Sequence, residues 1–134
     1  MNRRNAKLMS TGLVLLVEDH ADTRHMMEEY LRFHDIRVIS ADSGLSGLAA
    51  LRAHRPCVVL LDLSMPVMDG WRFRQEQQRL LDAALAGTPV VVLSALADAP
   101  THADALGAVD LIPKPIDFDR MIAVVKSYCA SAAE

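Results

Sequence analysis

Asp62 stands where an apolar run, Cys57-Val58-Val59-Leu60-Leu61, gives way to Leu63-Ser64-Met65-Pro66 and the turn Met68-Asp69-Gly70. A carboxylate where a buried strand meets a loop is poorly suited to packing and well suited to chemistry. Two more apolar runs end in the same manner: Leu13 to Val17 passes into Glu18-Asp19, and Val90 to Leu93 passes into Ser94-Ala95. Three carboxylates brought together raise one another's pKa unless a cation joins them. Magnesium suits such a set, since it takes oxygen ligands, keeps several waters and accepts one or two carboxylates beside a phosphate oxygen; calcium or manganese could use the same ligands. Lys114, between Pro113 and Pro115, supplies a point charge for a phosphoryl group, and Ser94 supplies a hydroxyl. Together these residues describe a carboxylate nucleophile, Asp62, with a metal, a lysine and a hydroxyl around a phosphoryl group in transit.

Such residues converge only if the intervening elements bring three strand ends to one edge. Strands are expected at about Leu13–Val17, Ile36–Ser40, Val58–Leu61, Val90–Leu93 and Val109–Ile112. The third and fourth lack alternation, as in strands covered on both faces. Between them the spacing predicts helices over about Ala21–Phe33, from Ser43 to a stop before Pro56, over Trp71–Leu85, and from an N-cap at Asp117. The helix over Trp71–Leu85 is the least regular, because Gln75 to Gln78 interrupt its apolar stripe; shallow packing or a polar face for a partner would explain it. Strand–helix alternation with right-handed crossovers gives a three-layer α/β sandwich whose carboxyl edge carries function.

Composition narrows the classes further. The 134 residues fit one domain, and 51% hydrophobic with 23% charged residues is ordinary for a globular chain. A net charge of -3 gives no general attraction to nucleic acid, no apolar stretch is long enough to span a bilayer, and the basic start carries no signal-peptide pattern. The cytoplasm is the expected location. Cys57 and Cys129 read as two reduced apolar thiols. The five histidines show no paired metal-ligand spacing; His20, next to the acidic pair, is the one expected at the rim of the site. Trp71, the single tryptophan, is expected to be partly packed and usable as an optical reporter.

The ordered set Val17-Glu18-Asp19, Asp62 to Gly70, Ser94-Ala95, Gly107-Ala108 and Lys114-Pro115 resembles the response regulator receiver domain of two-component signalling. The resemblance implies a flavodoxin-like, doubly wound five-stranded parallel sheet in the order 2-1-3-4-5, with helices on both faces. It implies that Asp62 takes a phosphoryl group from a phosphohistidine on a sensor histidine kinase or histidine phosphotransfer protein, and that the phosphorylated form binds a downstream protein target differently. Ser94 and Lys114 would contact the phosphoryl oxygens. Magnesium (Mg2+) would be held by Asp19 and Asp62 directly, by Glu18 mainly through water, and by the backbone carbonyl of Ser64. The expected protein is a switch rather than an enzyme acting on outside substrates, with no direct contact to nucleic acid or membrane expected. Residues 12–130 form the expected receiver domain, between a polar tail at 1–11 and a short tail at 131–134.

Two departures bear on output. Family members usually carry an aromatic residue three positions before the lysine, and Leu111 stands there. The stretch from Ser94 to Gly107 is about two residues short and contains Pro100, so its helix is expected to be short or irregular. Ser64 and Leu96 are expected to help set the phosphoryl lifetime by controlling water access. Three other readings compete: a constitutive interaction module with an unused acidic pocket, a receiver cut from a longer regulator or hybrid kinase, and a small phosphohydrolase, against which the intact Lys114 and the lack of a substrate-binding cap argue.

Overall fold

The computed structural model describes residues 12–63 and 67–133. Five strands, β1 (Leu13–Val17), β2 (Arg37–Ala41), β3 (Val58–Asp62), β4 (Val90–Ser94) and β5 (Asp110–Pro113), form one parallel sheet in the order β2-β1-β3-β4-β5. This is the expected flavodoxin-like order. The helices are α1 (Ala21–Phe33), α2 (Gly44–His54), α3 (Val67–Gln78), α4 (Ala83–Ala86), α5 (Ala99–Leu106) and α6 (Phe118–Ala133).

Successive residues of a strand point to opposite faces, so the uninterrupted apolar runs supply two cores at once. Leu15, Val17, Val59, Leu61, Val90 and Val92 pack beneath Leu48 and Leu51 of α2, Phe73 of α3 and Leu106 of α5. Val14, Leu16, Val58, Leu60, Val91, Leu93 and Ile112 pack against Met27 and Leu31 of α1 and Met121 and Val125 of α6. β1, β3 and β4 are accordingly buried almost throughout.

Helix boundaries follow local chemistry. Ser43 caps α2 through a reciprocal pair, its hydroxyl accepting the Ser46 amide at 3.1 Å while its own amide donates to Ser46 Oγ at 3.2 Å. The helix expected over Trp71–Leu85 is two pieces. Asp82 starts the second by accepting the Ala84 amide at 2.9 Å. The interrupted stripe has a structural reason: Gln77 is fully buried and donates to the carbonyls of Leu85 at 3.1 Å and Thr88 at 3.0 Å, while Arg74 donates to Gln77 Oε1 at 2.8 Å. A polar side chain thus occupies a core position, satisfying main-chain acceptors of the approach to β4. α5 is short, as expected, but regular. Pro100 lies in its first turn, and it ends at Gly107 in the left-handed conformation (φ 67°), which glycine adopts without strain.

The cysteines are not two reduced thiols. Cys57, just before β3, and Cys129 in α6 form a disulfide with Cα atoms 5.3 Å apart. Read singly, each is an apolar residue; the right-handed return of α6 beneath the sheet brings them together.

Candidate functional site

The chain runs from β1 outward to β2, then crosses to β3 on the other side of β1, so β1 and β3 flank the point where winding reverses. The strand ends diverge there and leave a cleft. Asp62 is the last residue of β3, and the Leu63 amide donates to the Leu93 carbonyl at 3.0 Å, extending the ladder one residue past it. Glu18 follows β1. Its amide donates to Ala41 O at 3.0 Å, and its Oε2 accepts the His20 amide at 3.2 Å. Glu18 and Asp62 are each 1% exposed, whereas Asp19 is exposed. One carboxylate oxygen from each of the three lies within 4.8 Å of the others. Lys114, following β5, reaches across with Nζ 3.1 Å from Asp62 Oδ1 and 3.6 Å from Glu18 Oε1. With His20 and Thr23 these residues line an open cavity of about 440 Å³.

Burial raises the Glu18 pKa from 4.5 to about 7, and the adjacent Asp62 carboxylate pushes it the same way; the His20 amide and Lys114 oppose the rise. A single lysine therefore leaves the negative charge incompletely compensated. The residues fit a hard divalent cation on two grounds: the donors are all carboxylate oxygens, and buried Glu18 Oε1 has no hydrogen-bond partner among the described residues. Ser64, expected to add a backbone carbonyl, lies outside the described residues.

Ser94 ends β4 and is buried. Its Oγ accepts the Leu96 amide at 3.0 Å, which leaves the hydroxyl proton available to another acceptor. The Ser94 carbonyl accepts the Lys114 amide at 2.9 Å, so the hydroxyl and lysine positions are joined through the backbone. Gly70 lets α3 lie close over the end of β3, since a Cβ there would sit 3.1 Å from Leu63 Cδ2. His20 is at the rim, where Nδ1 accepts the Thr23 amide at 3.3 Å as the N-cap of α1. Leu111 packs on the core beneath α5, and the half-buried Trp71 ring meets the His102 ring edge-on, centroids 5.5 Å apart. One residue that sequence reasoning passed over is Arg24, whose guanidinium donates to the main-chain carbonyls of Glu18 at 3.1 Å and Asp19 at 3.5 Å. Nothing in the spacing of α1 distinguishes it from an ordinary surface arginine.

Fold and site define a doubly wound α/β protein with an acidic, lysine-lined cleft at its switch point. The family model of the response regulator receiver domain matches residues 14–126, and the chain belongs to that family, a component of two-component signalling. It is 34% identical over 121 residues to the DNA-binding transcriptional regulator NtrC of Salmonella typhimurium, covering 88% of this chain and 25% of that protein. It is 41% identical over 116 residues to a protein-glutamate methylesterase/protein-glutamine glutaminase of a Shewanella strain, covering 76% of this chain and 29% of the relative. Among solved structures, the receiver domain of a sensor histidine kinase from Pseudomonas aeruginosa, with a magnesium ion coordinated in its active-site cleft, superimposes with a TM-score of 0.78 at 22% identity, covering 89% of this chain and 98% of that one. The chain spans between a quarter and about half the length of the curated relatives it matches. Among the described residues no helix is long and apolar enough to cross a membrane.

Proposed function

We propose that Asp62 is the phosphoacceptor of this receiver and that its phosphorylation changes the binding of a protein partner. The observation that carries the reading is the contact of Lys114 Nζ with Asp62 Oδ1 at 3.1 Å, beside the carboxylates of Glu18 and Asp19. In the reaction, a carboxylate oxygen of Asp62 forms a bond to phosphorus as the phosphorus–nitrogen bond of a phosphohistidine breaks, its electron pair staying with the imidazole. The donor is a sensor histidine kinase or a histidine phosphotransfer protein. Lys114 turns from the carboxylate toward the arriving phosphoryl oxygens, and the Ser94 hydroxyl donates to another of them. Glu18, Asp19, Asp62 and the Ser64 carbonyl would hold magnesium, which when bound neutralises charge on the phosphoryl oxygens and supports in-line transfer. Magnesium in the cleft of the histidine kinase receiver supports that assignment.

The test is intact-mass analysis after incubation with magnesium and either acetyl phosphate or a phosphorylated histidine phosphotransfer protein, beside Asp62→Ala and an EDTA control. One magnesium-dependent phosphoryl adduct, lost in Asp62→Ala, is expected. An adduct that persists in Asp62→Ala would overturn the site assignment, and none from either donor would overturn the reading and favour a constitutive interaction module.

A further inference from the structure

Past the end of β1 the Glu18 amide still pairs with Ala41 O of β2 at 3.0 Å, and the two residues there carry two of the three carboxylates. Their carbonyls are met by one side chain. Arg24, one turn into α1, bends back over the helix start so that Nη1 donates to Glu18 O at 3.1 Å and Asp19 O at 3.5 Å. Its own amide is fixed in the first helical bond, to His20 O at 2.9 Å, and His20 in turn caps the helix and donates its amide to Glu18 Oε2. The segment 18–24 is thereby closed on itself: α1 holds Arg24, Arg24 holds two successive peptide units, and those units aim Glu18 inward and leave Asp19 at the mouth. From this we infer that Arg24 is a positioning residue for the cation site, acting through the backbone of Glu18 and Asp19. The inference rests on the reading of these carboxylates as magnesium ligands.

A simple charge argument makes the opposite prediction. An arginine cation close to the acidic cluster repels a divalent ion, so removing it should tighten magnesium binding if charge were its main contribution. Positioning predicts weaker binding, because two carbonyls lose their donor and the ligands lose a defined separation. Partners that orient metal ligands from outside are worth about 10- to 100-fold in affinity when mutated. Arg24→Met keeps the length and apolar stem and removes both charge and donors. Arg24→Lys keeps the charge but replaces the planar, multi-donor head with a single ammonium.

Magnesium affinity should be measured by titration calorimetry on the unphosphorylated protein, with melting temperature in EDTA recorded for each variant. Arg24→Met is expected to bind magnesium about tenfold more weakly, with Arg24→Lys between it and wild type, and both folding cooperatively in EDTA. Equal or tighter binding by Arg24→Met would overturn the inference. So would full wild-type affinity in Arg24→Lys, which would make the contribution one of charge alone. Should Arg24→Met fail to fold, Arg24→Lys still decides between the two. Failure of wild type to bind magnesium would instead overturn the cation-site reading itself.

Discussion

Within the cleft, Lys114 has two tasks that substitution can separate. It compensates charge between buried Asp62 and Glu18, and under the proposed function it is the cation placed to meet a phosphoryl group on Asp62. With Asp62 as the proposed nucleophile, Lys114→Ala is expected still to accept phosphate, more slowly, and to lose most of the conformational response. Phosphorylation-dependent change in Trp71 fluorescence and in partner affinity measures this; a full response in Lys114→Ala would contradict the role. Glu18 makes a prediction of opposite character, in the absence of metal. Its folded pKa of about 7 lies above its ordinary 4.5, so between these values the folded state keeps a proton that the unfolded chain has released. The stabilisation is present in full below pH 4.5 and lost as pH rises toward 7, by at most about 3 kcal/mol. In EDTA the melting temperature of wild type should therefore fall relative to Glu18→Gln between pH 5 and 7.5, and magnesium should reverse the fall at the upper end. A wild-type curve parallel to that of Glu18→Gln would remove the argument. That Glu18, Asp19 and Asp62 meet was legible in sequence because each directly follows or ends an apolar run; Arg24 was not, because its bonds are to peptide carbonyls, which carry no residue-type signal.

Elements divide in the same way between those specified by pattern and those specified by a single contact. β1, β3 and β4 are read directly, since runs such as Leu13–Val17 have no polar face and fit only a strand covered on both sides. β2 is displaced by one residue from expectation, because Ile36 is buried before pairing begins and Arg37 opens the strand facing solvent. The region after Asp62 departs from the single helix expected over Trp71–Leu85, being divided between Val67–Gln78 and Ala83–Ala86. Gln77 looks like an interruption in one dimension but is fully buried, fastening α3 to α4 and to the approach to β4 through the carbonyls of Leu85 and Thr88. Arg74 extends the network to the end of α5 through the Leu106 carbonyl at 2.7 Å. Gln77→Ala removes the donor from two inward-facing carbonyls, and each such orphaned group costs about 1–3 kcal/mol. A loss of several degrees in melting temperature is expected, with magnesium affinity retained; wild-type stability would mean that water replaces the amide.

On the scale of the whole molecule, the sheet has two ends with different duties. The carboxyl ends of β1 and β3 carry the acidic cleft, whereas Cys57 and Cys129 join β3 to α6 at the opposite end, about 16 Å away at the rise of a five-residue strand. No local pattern pairs cysteines 72 positions apart, because their meeting depends on α6 returning along the face that also buries Met121, Ile122 and Val125. The bond closes a loop containing three of the five strands, β3, β4 and β5, and so restricts the unfolded chain far more than the folded one. Loop-closure entropy for 72 residues corresponds to about 4 kcal/mol at 25 °C. Cys57→Ser/Cys129→Ser, or reduction of wild type, is therefore expected to lower the melting temperature by roughly ten degrees or more. Phosphoryl adduct formation at 25 °C should be unchanged, since neither cysteine approaches the cleft. Thiol titration of the native protein supplies the check. Two reactive thiols in the air-oxidised protein, or a melting temperature indifferent to reductant, would return the pair to apolar packing residues; lost stability with retained phosphorylation would show the two ends of the sheet to be energetically separable.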